Sequence, residues 1–391
     1  MNDTSNDFFH PTRYLKSRPF AKRLFEKYKT TDLYKSDRVN EQMGDMIQVF
    51  NEELSKYAQQ QRKRLIAKHI GNASDITNQE LSLFVETQRF RHRGSNIFYF
   101  PSGISSLFKQ TDVNEVVIGD IKFPYKTFYI AFGAQTEFDI GFEDNTGFYF
   151  DGAYIDQLDE KVLSIRLTSV RLDRDYKTET NWFKYPDMVF WIGLEFENTE
   201  EKLVQAVDRF IEKFKADFKK WEDIPKTIEI DGETIPTNPL DNNHPTRQKR
   251  LNRIVNNAEK FKNISRLIFN SICYLTYDEK EFTISYTNNP PKTLTDRLKK
   301  ARKEKERKKV EEELLRSGYT KIKICGQKIS SEYKNETTGT GKELSAHWRR
   351  GHWRNQPIGK DRQERKLIWI KPTLVHKDKG EPQQGHIYTI T

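Results

Sequence analysis

The chain is poor in cysteine. Cys273 and Cys325 are the only two among 391 residues, they lie far apart, and neither belongs to a Cys-x-x-Cys pair. That excludes a disulfide scaffold and a cysteine-based zinc site, and it fits a reducing cytoplasm. No apolar run approaches the roughly 20 residues that a membrane-spanning helix needs. The opening residues, MNDTSNDFFHPTRYLK, carry acidic side chains and no apolar stretch, so no secretory signal is expected. Walker-type glycine loops, GxSxG and HExxH are missing as well. Nucleotide hydrolysis, serine hydrolysis and zinc proteolysis therefore have no support, and no cofactor is expected.

What is present is positive charge. Formal net charge is +10, pI is near 9.2 and mean hydropathy is −0.86. Such a balance favours a nucleic acid or another polyanion as partner. Aromatic residues at 13% argue for a folded chain, because disordered chains are depleted in them.

Periodicity predicts an α+β protein with a helical N-terminus. Val39, Met43, Met46, Ile47, Phe50, Leu54 and Tyr57 recur at three- and four-residue steps, the stripe of an amphipathic helix over residues 36–70. A second helix is expected from Thr77, where Thr77-x-x-Glu80 reads as a capping box. From about residue 115 the runs VVIGDI, KTFYIAFG, GFYFDGAYI, VLSIRLTSV and MVFWIGLEF read as strands of an antiparallel sheet. Helices over Glu200–Trp221 and Arg247–Tyr277 are expected to pack on it, separated by a Pro- and Asn-rich connector over 222–248. Residues 292–316 are almost wholly charged, with Glu and Lys or Arg in helix-supporting register. They are expected to form a solvated helical linker, with a dedicated RNA-binding arm as the other reading. The expected division is a helical region 1–95, a central α+β domain 96–290, a charged helical linker 291–316 and a small basic β-rich unit 317–391.

The densest chemistry lies in that last unit. His347, Trp348, Arg349, Arg350, Gly351, His352, Trp353 and Arg354 are consecutive, and Arg365 and Lys366 follow in a basic segment ending in LIWI. Arginine offers a rigid fork of donors to phosphate, and tryptophan offers a face on which a base can stack. Trp348, Arg349, Arg350, Trp353, Arg354, Arg365 and Lys366 are therefore candidate RNA contacts. Gly351 leaves room for a close backbone approach or a positive φ.

A sharper reading is metal-independent phosphodiester cleavage, with His347 and His352 as general base and acid and the arginines stabilising the phosphorane. Strand alternation opposes that pairing unless the chain turns at Gly351. A structural reading of the same motif has the tryptophans in the core, the histidines satisfying carbonyls and the arginines paired with acidic residues. The carboxylates Asp120, Glu137, Asp139, Glu143, Asp144, Asp151 and Asp156 fall in the strand region. They raise a metal-site reading against the commoner one of turns and solvent faces.

The string HWRRGHWR, a short basic segment and then Trp369-Ile370-Lys371-Pro372-Thr373-Leu374-Val375 resemble the C-terminal signature of a phage, plasmid and bacterial family that includes a type V-A anti-CRISPR protein. FPYKTFYIAFG, GFYFDGAYI and RLIFNSICYLTYDEKEF stand in the order of that family's central blocks, so the resemblance runs from about residue 100 to 376. It implies a regulator that depletes the mRNA encoding the type V-A CRISPR nuclease during translation. The partner would be RNA or a ribosome–nascent chain complex, and the nuclease's emerging N-terminus would be recognised. Cleavage would be intrinsic or recruited from a host ribonuclease. The competing class is an interaction protein whose basic block docks an acidic protein partner, without nucleic-acid function.

Overall fold

A computed structural model describes residues 8–18, 21, 73–141, 147–176, 189–222, 227–230, 233–236, 257–336 and 347–375. Its centre is a sheet of seven strands in the order β6-β5-β4-β3-β1-β10-β9. Strands β3 (Thr127–Asp139), β4 (Tyr149–Gln157), β5 (Val162–Val170) and β6 (Phe190–Glu195) run antiparallel to one another and correspond to four of the five apolar runs. Burial along β4 is almost continuous, because helices cover both faces of the sheet.

The α+β class holds, and the sheet is mostly antiparallel with two parallel pairings. Strand β1 (Ile97–Tyr99) lies parallel to β3 on one side and to β10 (Lys321–Cys325) on the other, while β9 (Phe282–Tyr286) closes the edge antiparallel to β10. Against one face pack α1 (His10–Ser17) and α2 (Ala73–His92), through Tyr14, Leu83, Phe84 and Phe90 onto Tyr129 and Tyr154. Against the other pack α3 (Ser102–Lys109), α4 (Leu203–Glu222) and α5 (Ala258–Thr276), through Phe108, Val207, Ile264 and Ile268 onto Phe128, Ile130 and Ile165. No described helix is long and apolar enough to cross a membrane.

Several expectations shift. The run VVIGDI is not a strand. Val117 makes a single bridge to Lys202, and Ile118–Asp120 is a 3-10 turn. The amides of Ile118 and Gly119 donate to the carbonyls of Glu201 and Thr199 at 3.0 and 2.9 Å, which pins the segment to a loop instead of a strand partner. Helix α2 starts at Ala73, so Thr77 and Glu80 are interior to it and do not cap it. Part of the expected connector is a small hairpin of β7 (Thr227–Ile230) and β8 (Glu233–Pro236). The expected helix over 36–70 lies outside the described residues.

The charged segment is not a single helix. It folds as α6 (Lys292–Lys300) and α7 (Glu304–Arg316), two helices inserted between β9 and β10, which are neighbours in the sheet. Arg297 of α6 pairs with Glu313 of α7 at 2.9 Å, and Glu311 of α7 pairs with Lys321 of β10 at 2.6 Å. Val310 and Leu314 are buried, and the Thr287 amide donates to the Thr320 carbonyl where the excursion closes. Strand β10, which follows the hairpin, belongs to the central sheet. Helix α8 (Gln327–Glu336) follows β10, and Ser330 accepts a hydrogen bond from the Gly103 amide at the start of α3.

Candidate nucleic-acid interface

The basic motif builds a β-ribbon. Strands β11 (His347–Arg349) and β12 (Gly351–Ile358) pair antiparallel with β14 (Thr373–Val375) and β13 (Glu364–Ile370). One register runs through both ladders: His347 faces Val375, Arg349 faces Thr373, His352 faces Ile370 and Trp353 faces Trp369. The interruption falls where Arg350 and Gly351 meet Lys371 and Pro372, and proline has no N–H to donate.

Gly351 is required there by crowding and not by a positive φ. A Cβ at this position would lie 2.6 Å from Pro372 Cδ and 2.7 Å from the Ile370 carbonyl oxygen. Its amide donates to the Gln110 carbonyl at 3.0 Å, joining β12 in parallel to the short β2 (Thr111–Asp112).

Alternation along β12 then sorts the motif into two faces. Trp353 points inward, 3% exposed, and stacks on Trp369 with ring centroids 5.6 Å apart at 15°. Its indole N–H donates to Asn270 Oδ1 at 2.7 Å, while Asn270 Nδ2 donates to the carbonyls of Phe108, Thr111 and Arg266. The Trp369 indole N–H donates to Thr111 Oγ1 at 3.3 Å, and its ring lies edge-on to Tyr274. Both tryptophans belong to the same hydrophobic core as the central sheet. Trp353, expected to stack on an RNA base, has its ring committed to this core and has no free face; it carries the ribbon instead.

The cations of the motif are exposed. Arg349, Arg350, His352 and Arg354 are exposed, as are Lys360, Arg362 and Lys371. Arg354 donates to Gln356 Oε1. Among the described residues no carboxylate pairs with Arg349, Arg350 or Arg354, so the alternative in which the arginines are absorbed by acidic neighbours does not apply to them. His352 and Arg354 stand opposite Ile370 and Ile368, a mixed apolar and cationic strip.

Lys366 is half-buried and pairs with Asp278 at 3.5 Å. Arg365, one residue earlier, falls on the alternate face, where its charge acts on Asp120. Burial pushes the Asp120 carboxyl above the ordinary range, opposed by a 2.7 Å hydrogen bond from Asn355 Nδ2. Alternation thus puts His352 and Arg354 on one face of β12, with exposed Arg350 just before the strand, and it separates Arg365 and Trp353 from them. His347 and Trp348 are described by their backbone in β11. His352 is exposed on β12, and His347 lies in β11 across the interruption at Arg350 and Gly351.

The acidic set is committed elsewhere. Asp151 is buried against Arg13 at 2.8 Å and accepts from Thr168 Oγ1 at 2.6 Å. Asp156 accepts from Thr127, Arg89 and Arg93 at 2.7, 2.5 and 2.6 Å. Asp139 holds the Gly141 and Gly147 amides, and Glu137 pairs with Lys109. Glu143 and Asp144 lie outside the described residues. Among the described residues no group of three or more His, Cys, Asp or Glu could hold a metal ion. Residue patterns missed the two groups that seat the ribbon, Asn270 and Thr111. The available signal was an asparagine inside the otherwise apolar helical run LIFNSICYL, where a buried amide needs partners.

The model of the AcrVA2-like family, anti-CRISPR type V subtype A2, matches residues 98–377. Among solved structures, a crystal structure of AcrVA2 is similar across 96% of this chain and 100% of that one, at 12% identity and a TM-score of 0.45. No curated protein matches.

Proposed function

Since the chain belongs to the anti-CRISPR type V subtype A2 family, we propose that it is an anti-CRISPR regulator whose β11–β14 ribbon binds RNA, free or on a translating ribosome, and promotes loss of a bound mRNA. The observation that carries this reading is the exposed Arg350, His352 and Arg354 face, which no described carboxylate neutralises and which a buried Trp353–Trp369 stack holds rigid. Guanidinium groups on a fixed strand give bidentate donors to phosphate at little entropic cost. With Trp353 internal, affinity comes from phosphate contacts, and the bases contribute less than in a stacking platform.

Transcript choice would come from the emerging nuclease peptide, as the family resemblance implies, and the ribbon would hold the RNA near it. Cleavage would be recruited from a host ribonuclease. The test is decay of a labelled nuclease mRNA in a translation system reconstituted from purified components, with and without added host ribonucleases. The proposal predicts decay only when a ribonuclease is supplied, and its loss with Arg350→Ala/Arg354→Ala. Decay unaffected by those substitutions contradicts it.

A further inference from the structure

The α6–α7 hairpin is the second concentration of charge, and its two ends differ. Residues 299–309 carry eight basic side chains, from Lys299 and Lys300 to Lys308 and Lys309, against two acidic ones, Glu304 and Glu306. Residues 310–316 carry Glu311, Glu312 and Glu313 against Arg316 alone. The acidic end is the anchored one, where Glu311 and Glu313 pair with Lys321 and Arg297, and Val310 and Leu314 are buried.

The basic end is exposed, and its one ion pair among the described residues is Lys308 with Glu304 at 3.1 Å. Every residue from Arg302 to Lys309 is exposed, although a helix packed on a neighbour buries one side at each turn. The first two turns of α7 therefore project into solvent. Among the described residues no carboxylate lies within ion-pair distance of Lys299, Lys300, Arg302, Lys303 or Lys305.

Like charges crowd the tip. Lys303, Lys305 and Arg307 lie at the positive end of the α7 dipole, where cations are unfavourable, offset in part by Glu304 and Glu306 in the first turn and by the Lys308–Glu304 pair at 3.1 Å. Lys305, Lys308 and Lys309 fall on one side of α7 by their three- and four-residue spacing, opposite buried Val310 and Leu314. The base of the hairpin is neutralised by its ion pairs, and the exposed tip keeps an excess of positive charge.

We propose that the tip of the α6–α7 hairpin is a docking arm for the phosphate backbone of double-helical RNA, an inference that rests on the RNA reading of the ribbon and adds a separate contact to it. Charge complementarity selects a polyanion. The composition of the tip selects its form: residues 299–309 contain no aromatic side chain, so the tip offers no stacking surface for unpaired bases. Duplex RNA presents regular rows of phosphates and is recognised by shape and backbone contact, which a cluster of lysines and arginines on a rigid hairpin suits. Recognition at the tip is accordingly independent of sequence.

The test measures binding of a short RNA duplex, and of a single strand of the same length, as a function of salt. Three proteins are compared: the full chain, a tip variant with Lys300→Gln, Arg302→Gln, Lys303→Gln and Lys305→Gln, and a ribbon variant with Arg350→Ala and Arg354→Ala. All four tip positions are exposed, and an unchanged melting temperature confirms that the variant is folded. The tip variant is expected to flatten the log–log salt slope for duplex RNA by about two to three, close to one per lost phosphate contact. It should weaken duplex binding at least about tenfold at low salt and leave single-strand binding largely in place. An unchanged duplex slope in the tip variant, with the ribbon variant impaired, overturns the docking arm alone. An unchanged ribbon variant with an impaired tip variant overturns the ribbon reading alone. No RNA binding by the full chain overturns both, as does tip-dependent binding of polyglutamate in place of RNA.

Discussion

The indole nitrogen of Trp353 donates to the side-chain oxygen of Asn270 at 2.7 Å, joining the centre of the basic motif to the middle of helix α5. Asn270 is fully buried, and its amide nitrogen is already committed to three carbonyls. Trp353→Phe keeps most of the apolar contact and strands the Asn270 oxygen. The expected loss is about 1–3 kcal/mol, the cost of an unsatisfied buried acceptor. It is read as a lower urea midpoint with an unchanged m-value, and full stability in this variant would show that the ribbon is not seated as described.

Gly351 offers a second check on the seating. Gly351→Ala must push against the Ile370 carbonyl and Pro372, both backbone neighbours that have little room to move. Overpacking of this kind costs about 1–3 kcal/mol. The substitution is expected to lower the melting temperature and, by displacing Arg350, to weaken RNA binding and flatten its salt slope. Wild-type behaviour in both assays would remove Gly351 from the account.

On the opposite face of the sheet, Glu86 is buried beside Asp156, and desolvation, then the Asp156 charge, raise its carboxyl above the ordinary 4.5, opposed by Arg89, Arg166 and Arg93. A raised carboxyl holds its proton in the folded state at pH values where the unfolded chain has already released it. Stability contributed through Glu86 is therefore complete below about 4.5 and declines as pH rises through the folded value. Glu86→Gln removes that decline, so variant and wild type should converge at low pH and the variant should lose less stability toward neutrality. Parallel stability curves across this range, measured by urea unfolding, would exclude Glu86 as the source.

How much of this was legible in the sequence differs by element. The apolar stripe of α5, from Phe261 through Ile264, Leu267 and Ile268 to Ile272, is buried as its spacing requires. The long strands β3 to β5 match their Val-, Ile- and aromatic-rich runs for the same reason. Strand β1 is three residues long and both its partners lie far along the chain, and no local pattern encodes a parallel pairing of that kind. The break between α6 and α7 falls at Ala301, Arg302 and Lys303, without a glycine or proline to mark it, so two helices read as one. Within the site, Arg349, Arg350 and Arg354 are exposed, as charged side chains on a strand surface are expected to be. The inward direction of Trp353 follows from strand parity, and parity becomes informative only once the opposite strand and its Trp369 are known.

The central claim is that the outward arginines of the ribbon neutralise RNA phosphates. Its most direct test is the salt dependence of single-strand RNA affinity, followed by fluorescence anisotropy for wild type and for Arg350→Ala/Arg354→Ala. Two lost phosphate contacts flatten the log–log slope by about 1.4 on single-stranded RNA. A slope that falls by that much, with an unchanged melting temperature, is the predicted result. An identical slope in the two proteins, or binding that survives high salt unchanged, would contradict the account and return the ribbon to the role of a protein-docking surface.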